Sequence, residues 1–197
     1  MEAGKLFEKA RSLGIRGTMK MGAVKWKKLE KDFHFPTAPG RRAVIDRILG
    51  RGYKRIVIFE NHFGYKNIMM QRPQHLLRNM GDDGTLVLYN SYYDVDYEGR
   101  GRIAQIGRSA YVLDMYYYRD YLLKAVKSIK NRYLMVYSTD TVPRRRIEGY
   151  LALGFKVIYE YVDDINPELI APGKIGEILK RHDALLRDKR VLAVATA

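Results

Sequence analysis

The sequence predicts an α/β fold: a Rossmann-like, doubly wound parallel sheet of about six strands behind a basic, helical N-terminal extension. Three observations lead there. Short, continuous apolar runs recur from Arg55 onward, as in strands buried on both faces. Helix-like stretches separate them, which is the alternation of a parallel sheet with crossover helices. Residues 1–54 break this pattern and hold 14 Lys or Arg against 5 Asp or Glu, a net +9 of the chain's +14.

The extension comes first. Leu6, Phe7, Ala10 and Leu13 fall at helical spacing, and Gly14, Gly17 and Gly22 interrupt them. Val24, Trp26 and Leu29 sit among lysines. Phe33–Gly40 reads as a loop from its Pro and Gly content, and Ala43–Leu49 as a short helix closed near Gly50 or Gly52. So basic a segment suits an acidic membrane surface or a solvated basic face. Nucleic acid would also suit the charge, but no recognised nucleic-acid motif accompanies it.

Arg55–Glu60 is the first strand. A polar loop, Asn61–Asn67, carries Gly64, where the backbone can approach a ligand. Gln71–Met80 is a helix with Pro73 in its first turn and Gly81 beyond its end. Thr85–Tyr89 is the second strand, followed by a Tyr-rich loop. Arg102–Ile106 and Ala110–Asp114 are short strands. Arg119–Asn131 is an amphipathic helix with Leu122, Leu123, Val126 and Ile129 on one face. Arg132–Tyr137 and Phe155–Tyr161 are strands around a Pro143–Gly154 helix. Lys174–Lys189 is a helix, and Val191–Ala195 a last apolar strand of buried type.

Composition narrows the chemistry. The chain has 197 residues, 47% of them apolar, and no cysteine. Disulfides, thiolate nucleophiles and cysteine metal sites are excluded. No apolar run approaches the ~20 residues of a membrane-spanning helix, and Met1–Ala10 is not a signal peptide. There is no Walker motif and no Gly-x-Gly-x-x-Gly after the first strand.

Candidate site residues gather where strands end. Arg72 and Gln74 lie at a helix start, a setting that favours anions. His62 and His75 lie beyond the first strand and could act as general bases, although each also suits a structural or exposed role. Asp163 and Asp164 follow the strand ending near Tyr161 and would face a ligand crevice, or else cap a turn. Arg144-Arg145-Arg146 is an anion contact or a solvated face. The 16 tyrosines, including Tyr89, Tyr92, Tyr93, Tyr97 and Tyr116–Tyr118, could stack on sugars or serve as buried anchors.

Three segments, taken in order, resemble a family. Gln71-Arg72-Pro73-Gln74-His75-Leu76 is similar to a segment of the N-terminal domain of bacterial GT-B glycosyltransferases that build capsular, teichuronic and other surface polysaccharides. Val157–Asp164 resembles that family's hydrophobic strand ending in paired aspartates. His182-Asp183-Ala184, with Val191–Thr196, resembles the helix and strand closing the domain. Glu160 stands where many relatives have Asp, and Ala197 where many have Ser.

The resemblance covers residues 55–197 and implies the acceptor-side half of a glycosyltransferase. The intact enzyme would move a sugar from a nucleotide-sugar donor to a lipid-linked or polysaccharide acceptor, peripherally at the inner face of the cell membrane. His75 or His62 would act on the acceptor hydroxyl, with Asn61, Gly64, Gln71, Arg72, Gln74, Asp163 and Asp164 lining the acceptor side. No cofactor is expected in this chain. The donor is expected in a C-terminal domain missing from this sequence, as in a truncated frame, an excised domain or one subunit of a split enzyme. A non-catalytic subunit that recruits a partner glycosyltransferase or the membrane is the alternative.

Overall fold

The computed structural model describes residues 37–60, 64–66, 70–97, 101–138, 142–162, 165, 168 and 173–195. By residue contacts the chain divides into 1–36 and Thr37–Ala197, and the described residues belong to the second unit. Its elements run α1 (Ala38–Leu49), β1 (Arg55–Phe59), α2 (Arg72–Met80), β2 (Thr85–Asn90), β3 (Ile103–Gln105), β4 (Ala110–Leu113), α3 (Met115–Ala125), β5 (Asn131–Tyr137), α4 (Arg144–Ala152), β6 (Lys156–Tyr161), α5 (Ile175–Arg187) and β7 (Val191–Ala195).

The seven strands lie in the order β3-β4-β2-β1-β5-β6-β7. Every pairing is parallel except that of β3 with β4. Without β3, the order starts at β1, runs outward through β2 and β4, then reverses through β5, β6 and β7. This order is compatible with a Rossmann-like fold, and it places a ligand crevice where the order reverses, at the carboxyl ends of β1 and β5.

Period-two alternation divides the strand side chains between two apolar clusters. Ile56, Ile58, Leu86, Leu134, Val136 and Val157 face Ile45 and Ile48 of α1, Leu122 of α3, Ile147 and Tyr150 of α4 and Leu185 of α5. Val57, Phe59, Val87, Tyr89 and Met135 face Leu77 of α2, with Tyr65 and Tyr97 from loops. Coverage of the second face thins toward the edge. Leu192 and Val194 of β7 are 61% and 37% exposed, although an apolar strand here reads as buried. An edge position explains the difference, because among the described strands β7 has a neighbour only in β6.

Two helix boundaries also differ from the sequence reading. Thr37 caps α1, its hydroxyl accepting from the Gly40 amide at 3.3 Å, so Pro39 and Gly40 form a first turn rather than a loop. Asp114 caps α3 by accepting from the Tyr116 amide at 3.0 Å, which moves that helix start four residues earlier. The helix then tightens into a 3-10 turn at Val126–Ser128, and Val126 and Ile129 stay buried.

Candidate functional site

The crevice edge holds a charge cluster centred on Glu60, the residue after β1. Its side chain is fully buried. Nη2 of Arg119 in α3 lies 2.6 and 2.9 Å from its two oxygens, and Nη1 of Arg146 in α4 lies 3.3 Å away. The buried Tyr150 hydroxyl donates to it at 2.6 Å. Burial, then the neighbouring Glu60 charge, pushes the Tyr150 phenol well up, so it remains a donor. Burial pulls the Arg119 guanidinium down, but Glu60 and two tyrosines outweigh it and raise it. One carboxylate thus meets two guanidinium groups, leaving a positive excess at the carboxyl end of β1.

Beside it stands the start of α2. Gln74 is fully buried. Its amide oxygen accepts from the Gln71 amide at 2.9 Å, and its amide nitrogen donates to the Gly64 carbonyl at 3.2 Å. Gln74 therefore positions the helix start against the loop. That loop is also held by buried Asp96, which accepts from the amides of Tyr65 at 2.7 Å and Lys66 at 2.6 Å. A Cβ on Gly64 would lie 3.1 Å from Asp96 Oδ2 and 3.2 Å from the Tyr93 ring, so the close approach requires glycine.

Arg72 reaches across the edge to Glu160 on β6, pairing through Nε with Oε1. The Arg72 side chain is about half exposed, and the Glu160 side chain is 3% exposed. Oε2 of Glu160 is buried with no hydrogen-bond partner among the described residues. Arg72 is therefore partly neutralised, and its terminal nitrogens have no partner among the described residues. His75 lies exposed on the first turn of α2, and its carbonyl accepts from Asn79 at 2.7 Å.

The structure thus brings together Gly64, Gln71, Arg72, Gln74 and His75 of the sequence-predicted residues. Asn61, His62, Asp163 and Asp164 lie outside the described residues. No protein-family model, curated protein or solved structure matches this chain. Among the described residues, no three or more His, Asp or Glu side chains group to hold a metal ion, and no helix is long and apolar enough to cross a membrane.

Glu60, Arg119 and Tyr150 escape a sequence reading, and Arg146 enters it only as part of an arginine triplet. The one local signal was an acidic residue closing an otherwise apolar strand. The triplet divides: Arg146 joins Glu60, while Arg144 pairs at 3.4 Å with Glu148 on its own helix. The tyrosines divide as well. Tyr118 is buried and donates to the Gly101 carbonyl, whereas Tyr116 is 80% exposed. Tyr92 and Tyr93 are exposed beside the crevice edge, and the Tyr92 hydroxyl lies 3.5 Å from Arg146.

Proposed function

We propose that this chain is the acceptor-side, N-terminal half of a GT-B glycosyltransferase of cell-surface polysaccharide synthesis. The observation that carries the reading is the position of α2. Its start, with Arg72 and His75, stands at the carboxyl edge of a parallel sheet whose strand order reverses at β1, and Arg72 links it to β6. Ligand chemistry in such sheets belongs at this edge.

In the proposed reaction His75 takes the proton of an acceptor hydroxyl as its oxygen attacks the anomeric carbon of the donor sugar. The bond from that carbon to the diphosphate breaks, and the diphosphate leaves with the bonding pair. Histidine suits the role because its ordinary pKa lies near neutrality. Arg72 would meet an anionic group of the acceptor through its terminal nitrogens, oriented by Glu160. Gln74 and Gly64 would hold the loop and helix in register, as positioning residues. The donor would sit on a second Rossmann-like domain, and the basic residues 1–54 would keep the enzyme at an acidic membrane surface.

The test is sugar incorporation from radiolabelled nucleotide sugars into lipid-extractable and polymeric material. Membranes would come from cells carrying the chain in its native context. His75→Ala should lower incorporation about 100-fold or more, the lower end of what a general base contributes. Unchanged incorporation in both His75→Ala and Arg72→Ala would sink the site assignment. A second reading, a non-catalytic subunit that recruits a partner transferase, is favoured by exposed Leu192 and Val194 on β7. It predicts incorporation that depends on the chain but not on His75.

A further inference from the structure

A cavity of about 510 Å³ opens between the first turns of α4 and α5. Both helices follow strands on the same side of the crevice, so the cavity lies at the carboxyl edge, and its described lining includes none of Glu60, Arg119, Arg146 and Tyr150. Among the described residues, Arg144, Lys174, Lys180 and Arg181 line it with one carboxylate, Glu177. Lys174 and Lys180 are exposed and have no ion-pair partner among the described residues. Arg144 pairs at 3.4 Å with Glu148, which Arg190 shares at 3.1 Å, and its charge also acts on Asp188. Arg181 is 5% exposed and donates to the carbonyls of Ser138 at 2.8 Å and Val142 at 3.4 Å. It ties the exit of β5 to α5 and fixes one cavity wall.

This arrangement exceeds what a solvated basic surface needs. Lys174 and Lys180, beside an Arg144 that Glu148 holds at 3.4 Å, leave a positive excess over Glu177 that matches a group carrying two or three negative charges better than a monocarboxylate. Neither helix start has a side-chain cap, so backbone N–H groups add to the positive field. Val142 and Ile178 supply apolar wall, and the volume falls in the range of small-ligand sites, larger than a bare phosphate requires. We propose that this cavity binds the phosphate or diphosphate end of a small organic ligand. The inference does not rest on the glycosyltransferase reading, which concerns α2 and the other side of the edge.

The test is a ¹H–¹⁵N NMR titration of the full chain with inorganic pyrophosphate and with glucose 1-phosphate, against sodium sulfate at matched ionic strength. Saturable shifts are expected at residues 144–147 and 174–181, with both phosphates binding at least ~10-fold more tightly than sulfate. Lys174→Gln/Lys180→Gln should weaken binding ~10-fold or more, the loss expected for charge-assisted contacts. Arg144→Gln should weaken it less, and Lys124→Gln, on α3 away from the cavity, should not change it. Circular dichroism would verify that each variant folds. Shifts that never saturate, equal affinity for sulfate, or equal weakening by Lys124→Gln would each overturn the proposal.

Discussion

Replacing Glu60 with Gln keeps the shape of a fully buried side chain and removes its charge. Arg119 then loses contacts of 2.6 and 2.9 Å to a carboxylate, and Tyr150 loses its ionised acceptor. Removing one partner of a buried pair costs about 3–5 kcal/mol, because the other charge stays desolvated. Here the arginines are partly wet, with Arg119 21% and Arg146 33% exposed, so water offsets part of that cost. The expected loss lies near the low end, about 3 kcal/mol. At a urea m-value of about 2 kcal/mol/M, the unfolding midpoint should fall by roughly 1.5 M with m unchanged. Tyr150→Phe should cost about 1.5–3 kcal/mol by removing one hydrogen bond to a charged group. The double variant should cost less than the sum, since both changes delete the same bond. A Glu60→Gln midpoint within error of the parent would refute the claim that this cluster locks α3 and α4 to β1.

Four further outcomes follow from the same geometry. The Tyr150 phenol titrates above its unfolded value of about 10, so its stabilising contribution is complete below that pH and is lost as pH rises beyond it; alkaline urea titrations of Tyr150→Phe should show a shallower decline. Asp188 is held down to about 2, first by the Arg190 side chain and then by the Arg190 backbone amide. Its contribution is therefore present above about pH 4 and lost as pH falls through about 2, and carboxyl NMR of Arg190→Gln should show the midpoint returning toward 4. Gly64→Ala should destabilise by about 1–3 kcal/mol in urea unfolding, because Asp96 is pinned by two backbone amides and cannot yield. Leu77→Ala should cost about 2–5 kcal/mol by thermal or urea unfolding, since this fully buried side chain anchors α2.

The sheet was legible in the sequence because its signals are local. Apolar runs at 55–59, 131–137 and 156–161 are strands that need no distant partner to be recognised, and Pro73 and Gly81 bracket α2. The capping of α1 by Thr37 and of α3 by Asp114 was less visible, since Pro39-Gly40 and the tyrosine triplet carry loop-like or ambiguous preferences. Glu60 shows what local patterns cannot encode. Its partners lie 59, 86 and 90 residues away, and only the strand order brings them together. Arg72 was readable as a residue at a helix start, but its pairing with Glu160 depends on β6 lying two strands from β1. The exposure of Leu192 and Val194 was hidden for the converse reason: an apolar strand looks alike at a sheet centre and at its edge.

The proposed acceptor site lies at the carboxyl edge beside α2. The most direct test is an NMR titration of the full chain with a water-soluble, short-chain lipid-diphosphate sugar. Saturable amide shifts are expected, concentrated at residues 64–66, 71–75 and 159–162 and reduced by Arg72→Ala. Saturating shifts confined to another surface, or none at millimolar ligand, would contradict it.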